Sequence, residues 1–276
     1  MSIRVEACVA QHIGDRLEQQ DRAAIFQHPK RPDVLMAVVA DGMGGHTGGA
    51  IAAEQVLHKA QQTFETFSPG HESPPEMLQA IVNEAHLVIK LARFTSEQDP
   101  HSTAAVLLFQ PGRVDWAFCG DSRIYHFRGA ELVTKSEDHS LVGQMLRQGR
   151  LTEKQARVHP QRNLLLTCLG DEREPRVDAG IAKPVGADDS FVICSDGLWG
   201  YFSDAELGRA VAAHPPRLAA EELIHGARER AAGAGDNISV IIVKLVEQES
   251  RGAKPNGVVP RVAAAAIAPV FESARR

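Results

Sequence analysis

The sequence predicts an α+β domain built in layers, and three observations carry that expectation. Apolar runs rich in β-branched residues recur along the chain, each bounded by Gly, Asp or Pro, as strands are. Several are apolar at consecutive positions rather than alternating, which is the pattern of strands covered on both faces. Two amphipathic helical stripes then follow one another with no strand between them, and adjacent strands come after, a departure from the regular strand–helix alternation of a parallel sheet. At 276 residues, 43% hydrophobic and 24% charged, the chain is ample to bury such a core.

Taken in order, the strands are expected at Val5–Ala10, Val34–Ala40, Thr103–Phe109, Val114–Cys119, Phe191–Cys194 and Ile238–Val246. Between the second and third, Ala53, Val56, Leu57, Ala60, Phe64 and Phe67 keep helical spacing, and Met77, Ile81, Val88 and Leu91 give a second stripe. Residues 136–162 are charged, with sparse apolar residues from Leu141 to Leu151, and read as a helical insertion outside the sheets, a flap. Residues 203–232 form a third helical region, opened by a Ser203 cap and interrupted at Pro215-Pro216. From Glu249 the composition turns to Gly, Pro, Ala and Arg, so the domain is expected to occupy 1–247 and 248–276 to be a flexible tail. No internal repeat is visible.

Lys and Arg total 30 against 35 Asp and Glu, a net charge of −5; the tail carries five bases and two acids, so residues 1–247 carry −8. That balance argues against broad binding of a nucleic-acid backbone, which needs a basic footprint. The opening MSIRVEACVAQHIGD has no secretory pattern, and Val262 to Phe271 is ten residues long and contains Pro269, too short to span a bilayer. A cytoplasmic protein without a membrane anchor is expected. Cys8, Cys119, Cys168 and Cys194 stand singly beside apolar runs, which fits reduced core thiols better than disulfides or a zinc site.

The chemistry concentrates where a strand runs into an Asp beside a Gly. This happens three times, in VVADGMGG (Val38 to Gly45), FCGDSR (Phe118 to Arg123) and VICSDG (Val192 to Gly197), and a fourth Asp opens a strand in the GDN of Gly235 to Asn237. Strand ends are rigid and an adjacent Gly lets backbone and ligand approach, so Asp41, Asp121, Asp196 and Asp236 are candidates for one rim. Four carboxylates gathered there require cations, and oxygen ligands select hard ions such as Mg²⁺ or Mn²⁺ over zinc. Any single Asp-Gly reads better as a turn; the set does not.

R-x-x-x-x-D (Arg16 to Asp21), DGMGGHTGG (Asp41 to Gly49), STAAV (Ser102 to Val106), GDSR (Gly120 to Arg123), EDHS (Glu137 to Ser140), SDGLW (Ser195 to Trp199) and GDNISVIIV (Gly235 to Val243), in that order, resemble the metal-dependent type 2C (PPM-type) Ser/Thr protein phosphatases in their bacterial form. The resemblance covers roughly residues 1–247. It implies a four-layer αββα sandwich, two central antiparallel sheets flanked by helices, with a two-metal site in the cleft between the sheets. It implies hydrolysis of phosphoserine and phosphothreonine by direct attack of a metal-bridging hydroxide. Asp41 would bridge the two ions, the Gly42 carbonyl would bind one, Asp196 and Asp236 would complete the other, and Asp121 with Asp196 would hold a weaker third. Arg16 would grip the phosphate, and residues 136–162 match the family's variable flap. Phosphorylated proteins, and a cognate Ser/Thr kinase with its substrates, are the implied partners.

Phosphate chemistry agrees with that assignment. A phosphomonoester dianion repels an anionic nucleophile, and two ions both supply hydroxide near neutral pH and screen the charge. Arg16 offers a planar fork for two phosphate oxygens. The leaving alkoxide needs a proton, for which His46 is the nearest donor; it reads equally as a surface histidine at a helix N-terminus. His139 is expected to serve capping or flap packing, and Ser102 and Thr103 to be structural. No Ser, Cys or Asp stands in an activating context, so no covalent intermediate is expected.

One position departs from the family. Where an acidic residue usually precedes the Asp corresponding to Asp21, this chain has Gln20, an amide that can coordinate or bind a metal-held water but adds no charge. The second metal is therefore expected to be held weakly, and Asp21 to act behind the metal or through water. Two other readings are opposed by the residues. A catalytically weakened phosphoprotein-binding module is opposed by the retained Arg16 and Asp residues. A nucleotide-binding enzyme using DGMGG lacks the Walker and kinase residues that would accompany it.

Overall fold

A computed structural model describes residues 3–44, 48–93 and 98–247. His46 and the expected tail at 248–276 lie outside the described residues. The chain opens with strands β1 (Ile3–His12), β2 (Arg22–Gln27), β3 (Leu35–Ala40) and the short β4 (Gly42–Met43). Helices α1 (Gly48–Thr66) and α2 (Pro74–Ala92) follow, then β5 (His101–Ser102), β6 (Ala104–Gln110), β7 (Arg113–Cys119), β8 (Arg123–Arg128) and β9 (Glu131–Lys135). Short helices α3 (Leu141–Arg147) and α4 (Glu153–Arg157) precede β10 (Asp178–Ala182) and β11 (Asp189–Cys194). The described chain closes with α5 (Asp196–Trp199), α6 (Asp204–Ala213), α7 (Pro216–Ala231) and β12 (Ile238–Glu247).

Two five-stranded antiparallel sheets result, ordered β1-β12-β11-β8-β9 and β10-β7-β6-β3-β2. Strand β3 is apolar at every position because it buries both faces, and β12 is nearly so. In β3, Leu35, Ala37 and Val39 point between the sheets, while Met36, Val38 and Ala40 meet Val56, Phe64, Leu78 and Ile81 of α1 and α2. In β12, Ile241 and Val243 point inward, and Val240 and Ile242 meet Leu207, Val211, Leu223 and Ala227 of α6 and α7. The period of two in a strand thus feeds two cores at once and makes four layers, αββα.

The expected helices and strands β1, β3, β6, β7, β11 and β12 are present, but β2, β8, β9 and β10 carry no such signal. β9 and β10 are edges, and β9 is exposed along nearly its whole length, so neither needs an apolar run. β8 (RIYHFR) places polar and charged residues within a strand. The face of α2 also differs from the expected stripe. Met77, Leu78, Ile81, Val82, Ala85 and Ile89 are buried, whereas Leu91 is 64% exposed.

Candidate metal centre and active site

Register brings the motif residues to one end of the sandwich. Cys194 pairs with Val240, so Asp196 beyond β11 and Asp236 before β12 lie at the same end of the first sheet. Val39 pairs with Ala105 and Ala104 with Cys119, so Asp41 beyond β3 and Asp121 beyond β7 lie together at an end of the second sheet. Cys194 also pairs with Arg123, so the turn carrying Asp121 passes from the second sheet to the first at that same end. Asp21 stands just before β2, whose Arg22 pairs with Ala40.

The carboxylates feel one another strongly. Burial and then the charges of Asp21, Asp196, Asp121 and Asp236 hold the Asp41 carboxyl well above the usual range. Burial, then Asp196 and Asp138, does the same to Asp121. Asp196 is pushed up to about 7 by burial and by Asp236 and Asp21, and Asp21 to about 6, chiefly by burial.

Each acid is fixed by its backbone or by a neighbour. Thr103 Oγ1 accepts from the Asp41 N–H at 2.9 Å, Thr103 N–H donates to the Asp41 carbonyl at 2.9 Å, and Ser102 Oγ donates to the same carbonyl at 3.1 Å. Trp199 Nε1 donates to the Asp121 carbonyl at 3.0 Å. Ser195 Oγ donates to Asp21 Oδ2 at 2.7 Å and accepts from Ser239 N–H at 3.0 Å. Gly42 lies so close to α1 that a Cβ there would stand 2.0 Å from the Gly49 carbonyl oxygen and 2.6 Å from that of Gln20. A Cβ on Gly197 would meet the Asn237 carbonyl at 2.0 Å. Only glycine permits either approach.

Arg16, 60% exposed, reaches across the mouth and places Nη2 2.6 Å from Asp236 Oδ2. Asn237 holds the loop that carries it: Nδ2 donates to the carbonyls of Ile13 (2.8 Å) and Glu18 (2.9 Å), and Oδ1 accepts from Gln20 N–H at 2.7 Å. Asp15 Oδ2 accepts from Gly235 N–H at 2.7 Å. Asn237, Ser195 and Trp199 were quoted in the motifs but given no role by sequence; a polar residue between a strand and a carboxylate was the available signal. The Gln20 side chain sits against α1, its Oε1 2.8 Å from where a Gly49 Cβ would be.

His139 is buried, stacked on Phe118 with centroids 4.9 Å apart, and its Nδ1 accepts from Gly120 N–H at 3.2 Å. Ser140 next to it caps α3, so His139 fastens the start of the flap to the end of β7. Burial pushes the thiols of Cys119 and Cys194 up to about 12, far from a nucleophilic thiolate. The segment between β9 and β10 spans 136–177 and, through α3 and α4, walls a cleft of about 610 Å³ whose other side includes Arg16, Asp196 and Asp236.

Residues 9–223 match the family model for protein phosphatase 2C. The chain belongs to the protein phosphatase 2C family. It is 29% identical over 234 residues to the serine/threonine phosphatase stp of Listeria innocua, covering 83% of this chain and 91% of that protein. Identity to protein phosphatase PhpP of Streptococcus pneumoniae is 30% over 232 residues, covering 82% and 92%. The crystal structure of the Mycobacterium tuberculosis serine/threonine phosphatase PstP/Ppp superposes with a TM-score of 0.76 at 27% identity, over 88% of this chain and all of that one. The chain is thus a protein-serine/threonine phosphatase, acting on phosphoproteins, and a weakened binding module is not favoured. No helix among the described residues is long and apolar enough to cross a membrane.

Proposed function

We infer that residues 1–247 form the catalytic domain, with 136–162 as its flap and 248–276 as a dispensable tail, and that the cleft at the end of the sandwich hydrolyses phosphoserine and phosphothreonine in cytoplasmic proteins. The observation that carries this is the gathering of Asp41, Asp121, Asp196 and Asp21, all raised in pKa by burial and by their neighbours, with Arg16 at the mouth.

Such a group fits divalent cations: its donors are oxygens and its members repel one another until a positive charge is supplied. Among the described residues no three Asp, Glu, His or Cys side chains form a ready-made cage. That is compatible with Mg²⁺ or Mn²⁺, which keep several waters and need only one or two carboxylates each. In this reading Asp41 would help to hold two ions, the Gly42 carbonyl would serve one, Asp196 and Asp236 the other, and Asp121 with Asp196 a weaker third. Asp21 and Gln20 would support the second ion directly or through water. When bound, the ions activate water as the nucleophile and neutralise phosphate charge.

The chain's own residues do the rest. Arg16, aimed by Asp236 and by the loop that Asn237 holds, takes two phosphate oxygens in its fork and orients the ester. Ser102 and Thr103 keep Asp41 from shifting as charge moves in the site. His46, outside the described residues, is our choice for the donor of a proton to the departing seryl or threonyl oxygen. A cognate Ser/Thr kinase would supply the substrates. The test is hydrolysis of a phosphothreonine peptide with Mn²⁺ present. Chelation and Asp41→Asn should each lower turnover by several orders of magnitude; near wild-type turnover in purified Asp41→Asn would remove the site from this role.

A further inference from the structure

The flap stands out electrically from the body that carries it. Residues 1–247 sum to −8, yet from Leu141 to Arg162 the chain has five bases and one acid, Glu153. Elsewhere among the described residues most guanidinium groups are matched, for example Arg113 with Asp115, Arg123 with Asp138, Arg128 with Asp189, Arg176 with Asp178 and Arg217 with Glu221, while Arg22, Arg209 and Arg228 meet no carboxylate. In the flap, Arg147 lies 3.7 Å from Glu137, and Glu153 is drawn to Lys135 at 3.5 Å. Among the described residues Arg150, Lys154, Arg157 and Arg162 meet no carboxylate, and all four are exposed. Arg157 donates only to the Phe202 carbonyl, at 3.4 Å.

An unpaired cation in water costs little, so Arg150 and Lys154 need no partner. Arg157 and Arg162 differ because they line the cleft of about 610 Å³ shared with Arg16, Asp196 and Asp236. Apart from Asp196, the acids on the same walls are drawn to other cations: Asp138 to Arg123 at 2.8 Å, Asp204 and Glu153 to Lys135 at 2.6 and 3.5 Å, Glu137 to Arg147 at 3.7 Å and Asp236 to Arg16 at 2.6 Å. Two planar forks therefore line the cleft where the polypeptide on either side of the phosphoresidue would lie, and neither has a carboxylate partner among the described residues. Forks of this kind match carboxylate and phosphate oxygens, and a like-charged neighbour there would be repelled.

We propose that Arg157 and Arg162 form a subsite for an anionic side chain, a carboxylate or a second phosphate, on the residues flanking the phosphoserine or phosphothreonine. The proposal rests on reading the adjoining cleft as the catalytic site. The enzyme then selects phosphorylated segments that are acidic or multiply phosphorylated, and it disfavours basic ones.

The test compares four peptides with one central phosphothreonine: flanked by Glu, by Ala, by Lys, or by a second phosphothreonine. Steady-state kinetics with Mn²⁺ give kcat/KM for each. Wild type should favour the Glu peptide over the Lys peptide by roughly tenfold, carried in KM and shrinking as salt rises. Arg157→Glu/Arg162→Glu should invert that order. The ratio is taken within one protein, so a general loss of activity cancels. Should the double variant fail to fold, Arg162→Gln alone, whose side chain makes no ion pair among the described residues, should lower the ratio severalfold. A gain confined to the doubly phosphorylated peptide assigns the subsite to phosphate, and a gain with Glu as well assigns it to anions generally. Equal kcat/KM for all four peptides in wild type, or an unchanged Glu-to-Lys ratio in the variants, would overturn the proposal. Wild type inactive on every peptide would instead overturn the phosphatase reading of the cleft, and the subsite with it.

Discussion

Asn237 shows how much of this site depends on a residue that touches no reacting atom. Its amide closes three hydrogen bonds to the loop from Ile13 to Gln20 and so decides where Arg16 stands. Asn237→Ala should raise KM for a phosphopeptide and lower kcat/KM by about tenfold to a hundredfold, while leaving the buried core intact. The checks are steady-state kinetics beside a melting curve, and unchanged kinetics would show that the loop holds its place without it. Gln20 gives a prediction of definite sign. It replaces a charge next to the proposed second ion, and its Oε1 already packs against Gly49 at the start of α1. Gln20→Glu is therefore expected to lower the Mn²⁺ concentration giving half-maximal activity, with kcat at saturating metal little changed. A metal titration of both proteins at one pH and ionic strength reads this directly; an equal or higher half-saturation would place Gln20 away from the metal.

Among the elements, α6 carries a stability switch that the sequence signals openly. Ser203 caps the helix and Glu206 returns a hydrogen bond to the Ser203 N–H at 2.7 Å, the capping box, while Arg230 of α7 reaches Glu206 at 2.8 Å. The Ser203 backbone bond, the Ser203 hydroxyl and Arg230 together hold the Glu206 carboxyl down at about 2, against an ordinary 4.5. Its folded pKa is depressed, so its contribution is complete above the unfolded value and fades as pH falls from about 4.5 towards 2. Glu206→Gln should melt at a lower temperature than wild type at neutral pH, with the gap narrowing across that acid range; a gap that stays constant down to pH 2 would show that the charge is not what matters. The same elements show which structure is written locally. Caps, prolines and apolar runs lie within a few residues of what they govern, so α6, α7 and the strands β1, β3, β6, β7, β11 and β12 are legible. β9 and β10 are edge strands, defined by a neighbour on one side only, and their sequences need not announce them.

For the whole molecule, the fold follows from strands that bury both faces, and the site follows from register. Asp41, Asp121, Asp196 and Asp236 were legible because each adjoins a strand end and a glycine. What joins them was not: Asn237 and its loop are more than 200 positions apart in sequence, as the 219-residue separation from Glu18 illustrates, and only closure of β1 on β12 brings them together. Nor did any local pattern show that Ser195 would tie Asp21 to the first sheet. We propose that these acids, from both sheets, act as one divalent-metal site that hydrolyses phosphoprotein esters. Asp196, like Asp41, is assigned to more than one ion, so the most direct measurement is Mn²⁺ binding by calorimetry, set beside phosphate release from a phosphothreonine peptide, for wild type and Asp196→Asn. The expected result is that wild type takes up at least two ions and turns over, while the variant loses bound metal and falls by roughly a thousandfold or more even at saturating Mn²⁺. A variant that binds Mn²⁺ as wild type does and turns over within about tenfold of it would contradict the account.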